Sequence, residues 1–429
     1  MKKILCTIIS IALLVCLCGC NNGSPDDDYL STEIEIVYQE ETVYSDDGDT
    51  VNSDLQSSQV ENVISTLSAF DSVDTSKPNT SSTTSEVQDG VCYLNNAQVL
   101  NKIKLNGRCE KASDGVGLNF AASAIEFNTD SSSVMLEVEA DAGVYYSVFV
   151  DGKLKEERAL TESGRNYIIL ARGLSKGNHN IKFVRATEGR SGNFMTVVNI
   201  QLDEGKSLVS SGNQDNVLIE FLGDSLSSGY GNLATYATES ASDLRYQDSL
   251  RAYPYLIADE LGLDYRIVSR SGIALKERIS GSDTYPAFYD FYSCENYYKD
   301  NTKKYDSSNP QDVDIVVVNL GTNDMTDGSF NTDAANPVEE YSQLYANLIT
   351  KIGYRKDAKI VFVSGVGWCH GQSTAYNGAK TKLNALGYNN IYLYDVPTYY
   401  LGGENHPAAD EHQEIADIII KFFKDNGIS

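Results

Sequence analysis

Apolar residues are patterned unevenly along the 429-residue chain, and the grammar of the pattern changes three times. Residues 4–18 form one apolar run behind Met1-Lys2-Lys3. Residues 21–90 are rich in Ser, Thr, Asp and Glu, carry blocks such as Asp26-Asp27-Asp28 and Ser81-Ser82-Thr83-Thr84-Ser85, and show no sustained period. From about 91 to 210 short apolar segments recur between Gly-rich breaks. Residues 134–139 and 145–150 run or alternate apolar, Asp151-Gly152 is a hairpin-turn pair, and 167–170 and 181–184 follow. Many short strands at this spacing predict an all-β sandwich. After the polar break at 210–215, apolar runs of five to seven residues alternate with helical periods. The runs 217–222, 264–269, 314–320, 359–365 and 391–395 read as buried strands, with helices over 254–261, 273–279, 337–354, 374–386 and 408–424. In the last of these, Ile415, Ile418, Ile419, Phe422 and Phe423 form an amphipathic stripe. Strands interleaved with helices predict an α/β fold with a five-stranded parallel sheet and right-handed crossovers.

Charge refines the two ends of this picture. More than half of the formal net charge of -26 lies in residues 21–90, which hold 16 acidic side chains and one basic one, Lys77. Such a stretch repels itself and reads as a disordered tether, with a root-mean-square span of roughly 45 Å by linker scaling. The absence of Lys/Arg clusters in an acidic chain excludes a nucleic-acid binder. The apolar run over 4–18 is shorter than the roughly 20 residues of a membrane span and has the form of an export signal. It ends in Leu17-Cys18-Gly19-Cys20, which resembles a bacterial lipobox, so residues 1–20 are expected to be a lipoprotein signal peptide and Cys20 the lipidated residue. An exported, lipid-anchored cell-surface protein is the expectation. The scattered Cys92, Cys109, Cys294 and Cys369 give no metal signature, and Cys92 with Cys109 is a candidate pair.

Ligands bind at the carboxyl ends of strands in parallel α/β sheets, so the residues following each predicted strand carry the chemistry. They are Gly223-Asp224-Ser225-Leu226-Ser227, Ser271-Gly272, Gly321-Thr322-Asn323-Asp324 and, last, Gly402-Gly403-Glu404-Asn405-His406-Pro407. A hydroxyl, a Gly amide, a carboxamide and an imidazole on one edge are what acyl transfer requires: an activated nucleophile and preorganised donors for the oxyanion. The G-x-S-x-G elbow is missing, although Ser225 still falls at a strand-to-helix turn. Of the four His, His179 falls in a predicted turn and His412 on the apolar stripe of the last helix. His370 competes as the base, and His406, just before that helix, is the better candidate.

These ordered blocks resemble the SGNH (GDSL-type) hydrolase superfamily. With the preceding β region, residues 91–429 are most similar to carbohydrate esterase family 2, whose members join a jelly-roll domain to an SGNH domain and remove acetyl groups from plant polysaccharides. Gly177-Asn178-His179, Val184-Arg185-Ala186-Thr187-Glu188 and Ala252-Tyr253-Pro254 support the narrower match. The resemblance implies a jelly-roll over 91–210 and a flavodoxin-like three-layer SGNH domain over 211–429. It also implies Ser225 as nucleophile, His406 as base, and the Ser225 and Gly272 N–H groups with the Asn323 side chain as oxyanion donors. The sequence departs from the superfamily where an Asp is usual three residues before the His, because Gly403 stands there, and Glu404-Asn405 replaces the Asp-Trp frequent in family 2. Either Glu404 orients the imidazole, or a Ser–His dyad uses a backbone carbonyl instead; loss of a triad acid lowers the rate without abolishing chemistry.

An aromatic insertion between the second and third strands holds Tyr285, Tyr289 and Tyr292, and with Trp368 these are candidate substrate-binding residues. Hydroxyl-bearing aromatic faces suit sugar rings better than acyl chains; the alternative is that these Tyr pack the insertion onto the sheet. No metal or organic cofactor is implied. The leading expectation is an esterase that deacetylates poly- or oligosaccharides of the xylan or glucomannan type. The alternatives are an SGNH lipid esterase or thioesterase, and a carbohydrate-binding lipoprotein with a weakened site.

Overall fold

A computed structural model describes residues 90–210, 216–234, 242–280, 283–306, 308–326, 337–366, 372–397 and 406–428. The signal and almost the whole of the tether, with Cys20, lie outside these residues.

The alternation read at 134–139 and 145–150 places those segments in two different antiparallel sheets of six strands each. Val134–Ala140 is central in one, between Met195–Leu202 and Gly164–Ala171; Tyr145–Val150 pairs with His179–Arg185 and Lys153–Leu160 in the other. The inward residues of both, among them Leu136, Val138, Phe127, Val148, Ile181 and Phe183, fill one core, as a two-sheet sandwich requires. Asp151 and Gly152 both have positive φ, 51° and 71°, the geometry of a two-residue type I′ hairpin. His179 is not in a turn but opens a strand, and its Nδ1 lies 2.8 Å from the Asp151 carboxylate, tying the hairpin tip to its neighbour. The strand Lys153–Leu160 escapes an apolar reading because it is a sheet edge made mostly of charged, exposed residues. Cys109 stands as a thiol against the carbonyls of Asn106 (3.4 Å) and Ala124 (3.7 Å), so the candidate pairing with Cys92 is not formed.

The remaining chain is a three-layer α/β part. Its strands, numbered within this sheet, are β1 (Leu218–Gly223), β2 (Asp264–Ser269), β3 (Ile315–Asn319), β4 (Lys359–Ser364) and β5 (Ile391–Asp395). All neighbours are parallel, in the order 2-1-3-4-5, the flavodoxin-like order whose switch point lies between β1 and β3. The helices of this part are α1 (Ser225–Ser228), α2 (Tyr253–Glu260), α3 (Phe288–Tyr292), α4 (Thr322–Thr326), α5 (Pro337–Ile352), α6 (Ser373–Ala385) and α7 (Ala409–Asn426). Val316, Val318 and Phe362 pack against Tyr345, Ile349 and Leu383 of α5 and α6 on one face. Val317 and Val363 pack against Ile257 of α2 and the Ile415, Ile419, Phe423 stripe of α7 on the other. Both faces are covered, which is why these strands are continuous apolar runs rather than alternating ones.

The helix expected over 273–279 does not form. The N–H groups of Leu275 (2.9 Å) and Lys276 (3.4 Å) go to the Asp324 carboxylate instead of to helical carbonyls. Arg278–Ser280 then pairs antiparallel with Asp283–Tyr285. The aromatic insertion folds onto the α/β part: Phe288, Phe291 and Tyr292 are buried, with Tyr297, Tyr298 and Tyr305 packed against them.

The sandwich and the α/β part share buried surface. Phe120 joins one α/β core and Ala121, Ala122 and Val184 the other. Tyr265 of β2 donates its hydroxyl to the Ala122 carbonyl at 2.8 Å. Arg108 of the sandwich is buried, donates to the carbonyls of Tyr292 and Cys294, and stacks 3.7 Å from the Tyr305 ring centroid, an arrangement in which the cation is shared among aromatic faces and backbone oxygens.

Candidate active site

The carboxyl end of β1 turns directly into α1. Asp224 caps that single turn, its Oδ1 accepting the Leu226 N–H at 3.0 Å, and Gly229 ends it at φ +79°. A β-carbon at Gly223 would fall 2.0 Å from Ser227 Oγ, so the strand-to-helix corner closes only around glycine. Ser225 is thereby held at the sheet edge, 7% exposed. Asp224 beside it is fully buried, and burial pushes its carboxyl up to about 7.

His406 arrives from the other end of the chain. The N–H of Ala409, at the start of α7, donates to the Asn232 carbonyl at 2.9 Å, which docks this segment onto the turn that follows α1. The imidazole Nε2 lies 2.8 Å from Ser225 Oγ, and the Tyr230 ring is 4.7 Å away, centroid to centroid, tilted by 51°. A hydroxyl and an imidazole at this distance have the geometry that a nucleophile and its general base require. His412 is different: it is buried in α7, its Nδ1 accepts the Tyr253 N–H at 3.3 Å, and burial holds its pKa down near 3. It stays neutral and structural.

Residues 270–273 form a turn beside α1. Ile273 N–H donates to the Arg270 carbonyl at 3.2 Å with Gly272 at φ +83°, the geometry of a type II turn, which needs φ above zero at its third residue. Ser271 Oγ is 3.3 Å from Ser228 Oγ, which in turn donates to the Ser225 carbonyl at 3.2 Å. Among the described residues, no acceptor takes the N–H of Ser225 or of Gly272. Asn323, from α4 after β3, donates Nδ2 to the Ile273 carbonyl at 2.8 Å. Arg278 is a residue the sequence reading missed: its Nη1 donates both to the Gly272 carbonyl (3.1 Å) and to Asn323 Oδ1 (2.9 Å), clamping the two together. Its only sequence signal was a basic residue a few positions after Gly272.

Of the aromatic candidates, Tyr285 reaches this place. A β-carbon on Gly272 would lie 2.6 Å from the Tyr285 ring, so the ring sits directly on the turn. Tyr292 does not: it is buried, and its hydroxyl donates to Glu220 inside the fold at 3.0 Å. Tyr289 does not either. Its ring lies 5.2 Å from the Lys351 ammonium in the last turn of α5. The chain just beyond that turn is tied by Arg355 to Asp314, at the amino end of β3, opposite Ser225. In both cases the insertion follows its apolar faces into the core, the packing alternative raised from the sequence. Trp368, Glu404 and His370 lie outside the described residues.

The parallel sheet, the Ser–His pair at its switch point and the neighbouring amide donors define the serine-hydrolase class with an SGNH (GDSL-type) fold. Two family models match: the GDSL-like lipase/acylhydrolase family over residues 221–424 and the carbohydrate esterase 2 N-terminal region over 105–211. The chain is similar to the SGNH/GDSL hydrolases and, within them, most similar to carbohydrate esterase family 2. It is 25% identical over 329 residues to the cellulase/esterase CelE of Acetivibrio thermocellus, covering 73% of this chain but only 38% of that protein. A family two carbohydrate esterase from Clostridium thermocellum, solved with cellohexaose, superposes with a TM-score of 0.65 at 24% identity, covering 76% of this chain and 100% of that one. An acetyl xylan esterase, Est2A, from the rumen bacterium Butyrivibrio proteoclasticus gives a TM-score of 0.67 at 17% identity, covering 78% and 98%.

Proposed function

We propose that the protein is a serine esterase that removes O-acetyl groups from poly- or oligosaccharides of the xylan or glucomannan type. The observation that carries the reading is the 2.8 Å contact between His406 Nε2 and Ser225 Oγ beside the Gly272 turn. As Oγ attacks the acetyl carbonyl, Nε2 takes its proton, and the charge forming on the carbonyl oxygen is met by the N–H groups of Ser225 and Gly272 with the Asn323 side-chain amide. His406 gives the proton to the departing sugar oxygen, leaving acetyl-Ser225. Water, deprotonated by the same imidazole, attacks this ester; acetate leaves and Oγ regains its proton. No metal or organic cofactor enters these steps. Tyr285, an aromatic face with a hydroxyl at the turn, suits a sugar ring. The cellohexaose in the Clostridium thermocellum complex and the Butyrivibrio relative's being an acetyl xylan esterase support the same reading.

The test compares wild type with Ser225→Ala for acetate release from acetylated xylan and glucomannan, with p-nitrophenyl butyrate and octanoate as acyl-length controls. Acetate release that disappears in the variant is expected. Activity rising with acyl length would instead identify a lipid esterase, and folded wild type without turnover a binding protein. The proposal includes a cell-surface location with lipid attached at Cys20, supported by the lipobox-like Leu17-Cys18-Gly19-Cys20. Replacing Cys20 by Ala should move the protein from the membrane fraction to the medium; unchanged fractionation counts against the anchor.

A further inference from the structure

The segment Arg185-Ala186-Thr187-Glu188 begins the loop between two sandwich strands and touches the α/β part. Its backbone is held by Arg185, whose buried guanidinium donates to the carbonyls of Thr187 (2.8 Å), Glu188 (2.7 Å) and Leu118 (3.2 Å). The Ala186 carbonyl accepts the Ser249 N–H at 2.7 Å. At the end of this strut the Glu188 side chain is 0% exposed. Its Oε2 accepts the N–H of Ser271 at 2.6 Å. Its Oε1 faces Arg270 at 3.0 Å, Arg190 at 2.8 Å and the Gln247 amide at 3.3 Å.

We infer that Glu188 is a positioning residue for acyl transfer: supplied by the sandwich, it fixes the Arg270–Ile273 turn so that the Gly272 N–H is held where the oxyanion forms. The inference rests on the esterase reading above. Ser271 N–H is one peptide before the Gly272 N–H, and Arg270 opens the turn, so Glu188 grips the two residues preceding the donor while Arg278 grips the carbonyl following it. The groups bonded to the Glu188 oxygens, the Ser271 N–H, the Arg270 and Arg190 guanidinium groups and the Gln247 amide, are donors. Burial alone would raise the carboxyl, but Arg270, Arg190 and the Ser271 N–H overcome this and hold its pKa near 2, so it is charged throughout the neutral range.

The all-donor surroundings give a sharp variant. Glu188→Gln keeps shape and volume but replaces one acceptor oxygen by an NH2. Two guanidinium groups claim the remaining oxygen, so the NH2 meets the Ser271 N–H, donor against donor, and the tie to the turn is lost. Because the oxyanion exists only in the transition state and intermediate, kcat should fall with KM little changed. Displacing one oxyanion donor typically costs on the order of 100-fold. Glu188→Gln and Glu188→Ala would be assayed with p-nitrophenyl acetate beside wild type, Ser225→Ala and Arg108→Met. Arg108→Met removes another buried tie between sandwich and α/β part, one that grips the Tyr292 and Cys294 carbonyls away from the turn.

The expected result is a kcat loss of about 10- to 100-fold in Glu188→Gln at unchanged KM, while folded Arg108→Met loses stability and keeps kcat within about twofold. If Glu188→Ala does not fold, Glu188→Gln decides. A Glu188→Gln enzyme with wild-type kcat, or a kcat loss matched by Arg108→Met, overturns the inference alone. Wild type without Ser225-dependent turnover overturns the esterase reading and this inference with it.

Discussion

Gly272→Ala is the most direct test of the geometry around the proposed oxyanion turn, because two separable penalties meet at that position. The backbone sits at φ +83°, where an L side chain costs about 1–2 kcal/mol. The added methyl would also stand 2.6 and 2.7 Å from two carbons of the Tyr285 ring, inside any real carbon–carbon contact. Relief requires the ring or the turn to move by roughly 1 Å, and overpacking of that kind costs about 1–3 kcal/mol. The single variant should therefore lose about 2–5 kcal/mol of stability. A displacement of this size at the donor should also lower kcat on the order of 100-fold. Making the same change in a Tyr285→Ala background removes the collision and leaves the dihedral. Urea unfolding of the four proteins gives a cycle whose coupling energy should be about 1–3 kcal/mol, with kcat on p-nitrophenyl acetate recovering only in part. If Gly272→Ala costs the same in both backgrounds, Tyr285 does not pack on the turn, and its place beside the substrate fails with it. A cost below about 0.5 kcal/mol would refute the left-handed geometry as well.

Two buried titratable groups predict opposing pH dependences of stability. His412 is held near 3 in the folded state against its ordinary value of 6.5, so its contribution is complete above pH 6.5 and is lost as pH falls toward 3. That amounts to about 3 kcal/mol by pH 4.5, a slope absent in His412→Asn. Asp224 is raised to about 7 from 3.8, so its contribution is complete below pH 3.8 and is lost as pH rises through 7. Asp224→Asn keeps a capping oxygen for the Leu226 N–H and should remove that loss. Between pH 3.8 and 6.5 the two slopes offset in wild type, and unfolding free energies of the single variants should diverge in opposite directions. Parallel profiles for wild type and both variants would show that neither group titrates as its burial demands.

What was legible in the sequence was whatever rests on short-range pattern. The five parallel strands begin and end within a residue or two of their apolar runs, because a strand covered on both faces must be apolar throughout. Ser225, Gly272, Asn323 and His406 could be listed because each follows a strand or precedes a helix whose period is plain. The charged edge Lys153–Leu160 was invisible, since exposure removes the signal that burial writes. The helix read over 273–279 failed because a distant carboxylate, Asp324, takes the N–H groups that a helix would have bonded within itself. Tyr289 and Tyr292 were placed by aromatic density, which core packing and sugar binding produce alike; what separates them is which face of the insertion meets the sheet. The supports of the site were hidden for a related reason. Glu188 lies 83 positions before Ser271 and belongs to another layer of the fold, and Arg278 joins Gly272 to Asn323, 45 positions further on. Their partners are backbone groups and polar side chains that no local period marks. A site of this type is therefore readable at its reacting atoms, which the strand ends present, and unreadable at the groups that aim them, which the tertiary fold alone brings within reach.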